Sequence, residues 1–138
     1  YAHGILKAVS YNKGGEVGTA TLESAGKVEK IRLSADRTEI VADGNDLSYI
    51  TLELVDSKGI RNQLAEELVA FSIEGDATIE GVGNANPMSI ESFVANSRKT
   101  WRGSNLLVVR SGKSSGRIIV TATVKALPVA SITITQKK

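Results

Sequence analysis

The sequence predicts an all-β fold, a sandwich of antiparallel strands, on the basis of three observations. Apolar residues recur at every second position in several separate runs, as in strands that bury one face and expose the other. β-branched residues are enriched in these runs, and short turn sequences recur between them. The one helix-compatible stretch, residues 62–68, is too short to stand alone and is compatible with a loop that contains one helical turn.

The first 26 residues predict a separate β-hairpin. Strand-like runs at residues 5–11 and 16–23 flank the turn sequence Asn12-Lys13-Gly14-Gly15. An isolated hairpin is marginally stable in water, so we expect it to pack on the main domain or to belong to a neighbouring one. We therefore divide the chain into a hairpin, residues 1–26, and a folding unit, residues 27–138.

The folding unit contains four runs with the two-residue period of a strand. In the clearest of them Ile50, Leu52 and Leu54 fall on one face, and polar or aromatic residues fall on the other. The same alternation recurs in residues 31–35, 118–124 and 130–135. Half-buried antiparallel strands have this pattern.

The turns between these runs are rich in glycine and aspartate. Glycine supplies positive φ, and Asp or Asn side chains accept hydrogen bonds from nearby backbone groups. Asp43-Gly44-Asn45-Asp46 has oxygen ligands suited to calcium but lacks the 12-residue loop and closing Glu of an EF-hand, so we interpret it as a turn. His3 is the only histidine, which excludes a multi-histidine metal site, and we predict neither a metal nor a cofactor.

Composition excludes several other classes of function. The absence of cysteine excludes disulfides, zinc-thiolate sites and thiol nucleophiles. Seventeen Lys and Arg against fifteen Asp and Glu are interspersed along the chain, which is typical of a solvated surface and not of a nucleic-acid-binding one. No apolar run reaches the roughly 18 residues of a membrane span, and no secretion leader is evident. A chain that begins with Tyr1 indicates a mature protein or a fragment.

A long polar excursion distinguishes the middle of the chain. It opens with Gly83-Asn84-Ala85-Asn86-Pro87 and continues through Met88-Ser89-Ile90-Glu91-Ser92-Phe93. It then reaches Arg98-Lys99-Thr100-Trp101-Arg102-Gly103 and the strand-like run Leu107-Val108-Val109-Arg110-Ser111. Polar loops on a rigid sandwich are common sites of recognition.

Two parts of the sequence resemble known families. Residues 33–71, with Ser34-Ala35-Asp36-Arg37 and Val55-Asp56-Ser57-Lys58-Gly59, resemble bacterial immunoglobulin-like modules, which occur in invasin and intimin adhesins and in polysaccharide-degrading enzymes. The excursion is similar to the C-terminal module of family 2 glycoside hydrolases, the β-galactosidase group, whose pattern is Gly-Asn-Gly-Asp/Asn-Pro, Ser-His-Glu, Phe and Arg-Lys-Ala-Phe-Asn-Gly. The chain departs from that pattern at Ala85, Ile90, Thr100, Trp101 and Arg102.

The resemblance implies an immunoglobulin-like sandwich that is a non-catalytic C-terminal accessory domain of a secreted, periplasmic or cell-surface bacterial glycosidase. In that family the catalytic carboxylates lie on a (β/α)₈ barrel, and this chain lacks the alternating pattern of a barrel. Residues 1–26 resemble the end of a preceding immunoglobulin-like domain. The alternatives are an adhesin module of the invasin or intimin type and a carbohydrate-binding module.

The excursion supplies the candidate contact residues. Glu91 and Arg98 are expected to form an ion pair within the excursion. The excursion either docks on another domain of the parent enzyme or forms a rigid turn. Trp101 has a face that suits a sugar ring, although such surfaces generally carry several aromatics; the alternative is packing with Phe93 at the sandwich edge. The candidates for docking or glycan contact are Asn84, Asn86, Glu91, Arg98, Trp101 and Arg102.

Overall fold

A computed structural model describes residues 3–138, and strands are the only regular elements in that range. Two of them, β1 (Ile5–Asn12) and β2 (Gly15–Glu23), form a hairpin. The other nine form two sheets: β3 (Lys30–Ala35), β4 (Glu39–Val41), β5 (Leu47–Val55), β6 (Leu68–Glu74), β7 (Ala77–Gly83), β8 (Ser97–Lys99), β9 (Ser104–Ser111), β10 (Gly116–Val124) and β11 (Ala130–Lys137). Within residues 3–138 there is no helix of a length and apolarity that would cross a membrane.

The two sheets form a sandwich, which confirms the predicted fold class. The five-stranded sheet has the order β4-β11-β10-β6-β8, and the four-stranded sheet has the order β3-β5-β9-β7. Neighbouring strands are antiparallel except for β4, which runs parallel to β11. The chain moves from one sheet to the other between β3 and β4.

The core lies between the inner faces of the sheets and follows the alternation in the sequence. Ile50, Leu52 and Leu54 are fully buried, whereas the intervening residues of β5 are partly or largely exposed. β10 contributes buried Val120 and Ala122 from the opposite sheet. The two-residue period of a strand thus separates a core face from a solvent face.

The loop at residues 62–68 contains a turn and no helix. The Asn62 side-chain oxygen accepts a hydrogen bond from the N–H of Leu64, and its carbonyl accepts one from the N–H of Ala65. Asparagine stabilises such turns by accepting hydrogen bonds from the backbone two residues on.

Asp43 caps its own turn, as interpreted from the sequence. Its Oδ1 accepts the N–H groups of Asn45 and Asp46, each at 2.8 Å, and these hydrogen bonds lower the pKa of the carboxyl. Asp76 caps a turn that is distant in sequence: its Oδ2 accepts the N–H groups of Lys113 and Ser114 in the turn before β10. Within residues 3–138 no three His, Cys, Asp or Glu side chains gather as a metal would need.

The hairpin pairs with neither sheet, and Glu23 at its end forms an ion pair with Lys58 in the loop after β5. Lys13 and Gly14 have φ of 49° and 81°, the paired positive values of the tight turn that matches strand twist. Within the described residues β1 and β2 pair only with each other, and Ile5, Leu22 and Val17 are exposed. The assignment of residues 1–26 to a preceding domain stays a prediction, and Tyr1 and Ala2 lie outside the described residues.

A leucine in the centre of the core tests the arrangement. Leu52→Ala should lower the free energy of unfolding by about 2–5 kcal/mol, since it removes a fully buried side chain and leaves a cavity. Urea denaturation measures the change. Leu64→Ala, in an exposed loop, should stay within about 0.5 kcal/mol of the unsubstituted protein. Equal losses for the two variants would contradict this core.

Candidate docking surface

Arg98 is a fully buried arginine at the edge of the sandwich. It lies in β8 of the five-stranded sheet, and its Nη1 donates to the carbonyl of Val82 in β7 at 3.1 Å. The same nitrogen reaches the carbonyl of Glu91 at 3.2 Å, and Nη2 donates to Ser89 Oγ at 3.0 Å. One guanidinium therefore joins both sheets to the excursion.

Glu91 and Phe93 complete the surroundings of this guanidinium. Glu91 Oε2 lies 3.9 Å from Arg98 Nε, so the predicted pair is present, and the Phe93 ring centroid lies 4.2 Å from Arg98 Cζ. Glu91 Oε1 accepts the N–H of Lys99 at 3.0 Å, and Oε2 accepts the Ser89 hydroxyl at 2.9 Å. The Lys99 N–H, followed by the Ser89 hydroxyl and the charge of Arg98, lowers the pKa of Glu91 against the opposing effect of burial.

Asn84 and Asn86 organise the start of the excursion. The Nδ2 of Asn84, which is buried, donates to the Lys99 carbonyl at 2.9 Å, and its Oδ1 accepts the N–H of Asn86 at 3.0 Å. Asn86 Oδ1 in turn accepts the N–H of Met88 at 3.0 Å. Ala85 has a φ of 58°, so the position where the resembled pattern has glycine does require the left-handed conformation.

Asn105 is a further member of this network that the sequence analysis missed. It is 2% exposed, and its Nδ2 donates to the Arg98 carbonyl at 3.1 Å. The signal was available, because Asn105 precedes the apolar residues Leu107 and Val109 at the buried positions of the same alternation. A polar residue at an inward position is expected to have a specific hydrogen-bonding role.

The network supports an exposed apolar segment, residues 88–94, which we call the tip. Its large apolar side chains are exposed to solvent, namely Met88, Ile90, Phe93 and Val94. The backbone of the tip is held at its base by hydrogen bonds to Arg98 and Asn86. The arrangement presents an apolar surface on a rigid frame.

Trp101 and Arg102 form a tight turn before β9. Arg102 and Gly103 have φ of 51° and 70°, and Trp101 and Ser104 exchange two backbone hydrogen bonds of 3.1 Å. Arg102 Cζ lies 4.6 Å from the centroid of the Trp101 ring, so this guanidinium stacks on the indole. Phe93 stacks in the same way on a different guanidinium, that of Arg98.

The structure divides the six predicted contact residues into two groups. Asn84, Asn86, Glu91 and Arg98 come together, and their polar groups bond to the excursion and β8. The half-buried Trp101 and the exposed Arg102 form a separate corner.

A protein-family model, glycoside hydrolase family 2 C-terminal domain 5, matches residues 31–133. The chain belongs to glycoside hydrolase family 2. As a C-terminal domain of a family 2 glycosidase it is the non-catalytic part, as the resemblance implied.

Relatives of this family 2 domain are much longer proteins. Beta-galactosidase BoGH2A of Bacteroides ovatus is 36% identical over 135 residues, which cover 98% of the chain and 16% of that protein. A beta-galactosidase of Thermoanaerobacter pseudethanolicus is 32% identical over 117 residues, covering 85% of the chain and 14% of the relative. The chain thus spans a small share of the relatives it matches.

Solved structures also resemble this chain. A family 2 glycosyl hydrolase from Bacteroides cellulosilyticus is 99% identical with a TM-score of 0.96, over 100% of this chain and 18% of that one. The D00-D0 domain of intimin is 19% identical with a TM-score of 0.59, over 97% of this chain and 65% of that one. The likeness to the adhesin is therefore one of fold alone.

Removal of the buried guanidinium should be costly. Arg98→Ala should lower the free energy of unfolding by about 3–5 kcal/mol, because the carbonyls of Val82 and Glu91 lose their donor and Glu91 loses its countercharge. Urea denaturation measures the loss. Arg110→Ala removes an exposed arginine paired with Glu80 at 2.7 Å and should cost at most about 1 kcal/mol. Similar losses in the free energy of unfolding for the two variants would show that the buried hydrogen bonds of Arg98 contribute little to stability.

Glu91 should stabilise the fold in a pH-dependent manner. Because its pKa is lower in the folded state, its contribution is complete above the unfolded pKa of about 4.3 and is lost as pH falls through the native value. The urea midpoint of Glu91→Gln should therefore lie below that of the unsubstituted protein at pH 7, and the gap should narrow below about pH 4. Glu66→Gln, in an exposed loop, controls for loss of one surface charge. A gap that is constant between pH 7 and pH 3 would argue against this role.

Proposed function

We propose that the chain is a docking domain of a β-galactosidase-type family 2 glycosidase, in which it packs against other domains of the same polypeptide. Relatives named beta-galactosidase, at 36% and 32% identity, support the type of parent enzyme. The proposed periplasmic, secreted or cell-surface location of the parent stays a prediction from the family resemblance.

The tip is the observation that carries this proposal. Four large apolar side chains lie exposed on a short segment whose base is fixed by a fully buried arginine. A clustered apolar surface on an ordered frame is typical of a protein–protein contact, since its burial against a partner is favourable and ordering it costs little further entropy.

The hairpin offers a second surface for the same parent. Its exposed apolar residues lie on two strands whose outer edges pair with no other strand of residues 3–138. We include in the proposal that residues 1–26 complete a preceding immunoglobulin-like domain and that residues 27–138 form the accessory sandwich. The marginal stability of lone hairpins supports this division.

Weak glycan contact is the second candidate, and it is restricted to the Trp101 corner. Four of the six predicted contact residues make their polar contacts within the domain, and the guanidinium of Arg102 already lies over the Trp101 ring. Docking through the tip uses its exposed apolar side chains and leaves these polar groups in the hydrogen bonds that hold the tip.

Hydrogen exchange in the intact parent enzyme tests docking. The amides of residues 88–94 should exchange at least about tenfold more slowly in the full-length enzyme than in the isolated chain, because a partner domain covers them. Ile90→Asp in the full-length enzyme should abolish that protection, since a carboxylate is costly to bury in an apolar contact.

Val41→Asp is the matched control. Val41 is an exposed apolar residue in β4, at the opposite edge of the five-stranded sheet from β8. It should leave the protection of residues 88–94 unchanged. Equal exchange of the tip in the full-length enzyme and in the isolated chain would refute docking through the tip.

A further inference from the structure

The junction between the hairpin and the sandwich is short. Ser24 extends the hairpin by one residue pair, because its N–H donates to the Gly4 carbonyl at 3.0 Å and its Oγ accepts the Gly4 N–H at 3.1 Å. Gly26, two residues later, bonds to the sandwich, and only Ala25 lies between them. Since each residue has only two soft backbone dihedrals, little freedom of rotation separates the two parts.

Both backbone groups of Gly26 bond to side chains of the sandwich. Its N–H donates to Asp56 Oδ2 at 2.8 Å, and its carbonyl accepts a hydrogen bond from Asn62 Nδ2 at 2.8 Å. One bond uses the donor of the residue and the other uses its acceptor, so together they fix the direction in which the chain leaves the sandwich. We call residues 24–26, with Asp56 and Asn62, the joint.

Asp56 is itself fixed in the loop after β5. It is buried, and its Oδ1 accepts the N–H groups of Lys58 at 3.0 Å and Ile60 at 2.8 Å. The Gly26 N–H, ahead of that of Ile60, lowers the pKa of the Asp56 carboxyl. The ionised carboxylate has only acceptor oxygens, and it uses one for its own loop and the other for the junction.

Asn62 divides its side chain in the same way. Its backbone N–H donates to the Leu54 carbonyl at 2.9 Å, which ties the residue to the end of β5. Its Oδ1 accepts the Leu64 N–H at 2.9 Å, while Nδ2 is directed to Gly26. Two side chains anchored in the sandwich therefore hold one residue of the junction.

Side-chain packing does not fill the space between the hairpin and the sandwich. A cleft of about 1510 Å³ lies there, with Ile5 and Leu22 on the hairpin side and Ile60 on the sandwich side. Of the described hairpin residues 3–26, none belongs to the buried core. An ion pair between Glu23 and Lys58 also crosses the junction, but a solvent-exposed pair contributes little.

We propose that the joint makes the hairpin and the sandwich move as one rigid body, with Asp56 and Asn62 as its positioning residues. Relative motion is the usual expectation where no large apolar interface joins two parts of a chain, and the joint opposes it. A solved family 2 beta-glucuronidase, 27% identical, matches 99% of this chain with a TM-score of 0.86. A score that high over both parts requires the hairpin and the sandwich to superpose together.

The joint has a consequence that rests on the proposed function. If the hairpin completes a preceding domain, the joint sets the direction in which the sandwich and its tip project from that domain. The tip then reaches its partner without a search over domain orientations, which would cost entropy on docking.

Distances between two spin labels test the joint, because the chain has no cysteine of its own. The labels are placed at Lys7→Cys in β1 and Arg117→Cys in β10, both exposed positions. Pulsed electron paramagnetic resonance of the purified chain should give a single narrow distance distribution. The measurement needs no partner domain, so its outcome does not depend on docking through the tip.

Two isosteric substitutions reverse only the groups that face Gly26. Asp56→Asn keeps an oxygen for the Lys58 and Ile60 amides and presents an amide donor to the Gly26 N–H. Asn62→Asp keeps an oxygen for its own loop and presents a carboxylate to the Gly26 carbonyl. The double variant should broaden the distance distribution at least about twofold, since donor then faces donor and acceptor faces acceptor.

Asp43→Asn is the matched control. Asp43 also caps a turn through Oδ1, in the loop before β5 and away from the junction. Its substitution should leave the width of the distribution unchanged. The urea midpoint of every variant is measured, and each single substitution in the joint should broaden the distribution by less than the double variant, which keeps the test valid if the double variant fails to fold.

Three results would overturn the proposal. A broad distribution in the chain with an intact joint would show that the hairpin moves freely. An unchanged width in folded Asp56→Asn and Asn62→Asp variants would show that other contacts hold it. Equal broadening by Asp43→Asn would assign the effect to turn capping in general.

Discussion

The buried guanidinium of Arg98 determines how the edge of this sandwich is built. Removing an arginine from water costs several kcal/mol, and the site must offset that cost with acceptors and a countercharge. The chain supplies carbonyls from β7 and from the excursion, a hydroxyl, a carboxylate and an aromatic face. Each of these groups can contact the guanidinium only when the excursion adopts this one conformation. Arg98 therefore fixes the excursion, which would otherwise be a long polar loop.

This constraint relates the fold to its proposed use. A docking surface on a flexible loop would lose conformational entropy on binding, whereas a segment held by buried hydrogen bonds has lost much of it on folding. Asn84 and Asn105 also hold the backbone of β8, because their side-chain amides donate hydrogen bonds to the carbonyls of Lys99 and Arg98, respectively. Polar residues that resemble a binding site in the sequence thus act as its scaffold, and the apolar residues between them form the presented surface.

The sequence predicted β3, β5, β9, β10 and β11 because the signal of each is local, whereas β4, β6, β7 and β8 were not predicted. Alternation within residues 47–55 separates the core face from the solvent face, whatever strands lie beside it. The pairing of β4 with β11 joins Glu39 to Thr135, and no local pattern encodes such a distant contact. The burial of Arg98 was missed for a similar reason, because a sequence position beside Lys99 is typical of a solvated surface and only the returning excursion encloses it.

The hairpin has a consequence for any protein produced with this region alone. Each of its strands offers an outer edge of free N–H and C=O groups, and both faces carry exposed apolar residues. Such an edge is a template on which a second copy can add a strand, and natural proteins generally cover or charge it. In the proposed arrangement, in which residues 1–26 complete a preceding domain, separating the hairpin from that domain would uncover these edges and favour self-association, which would limit where the gene can be cut without loss of solubility.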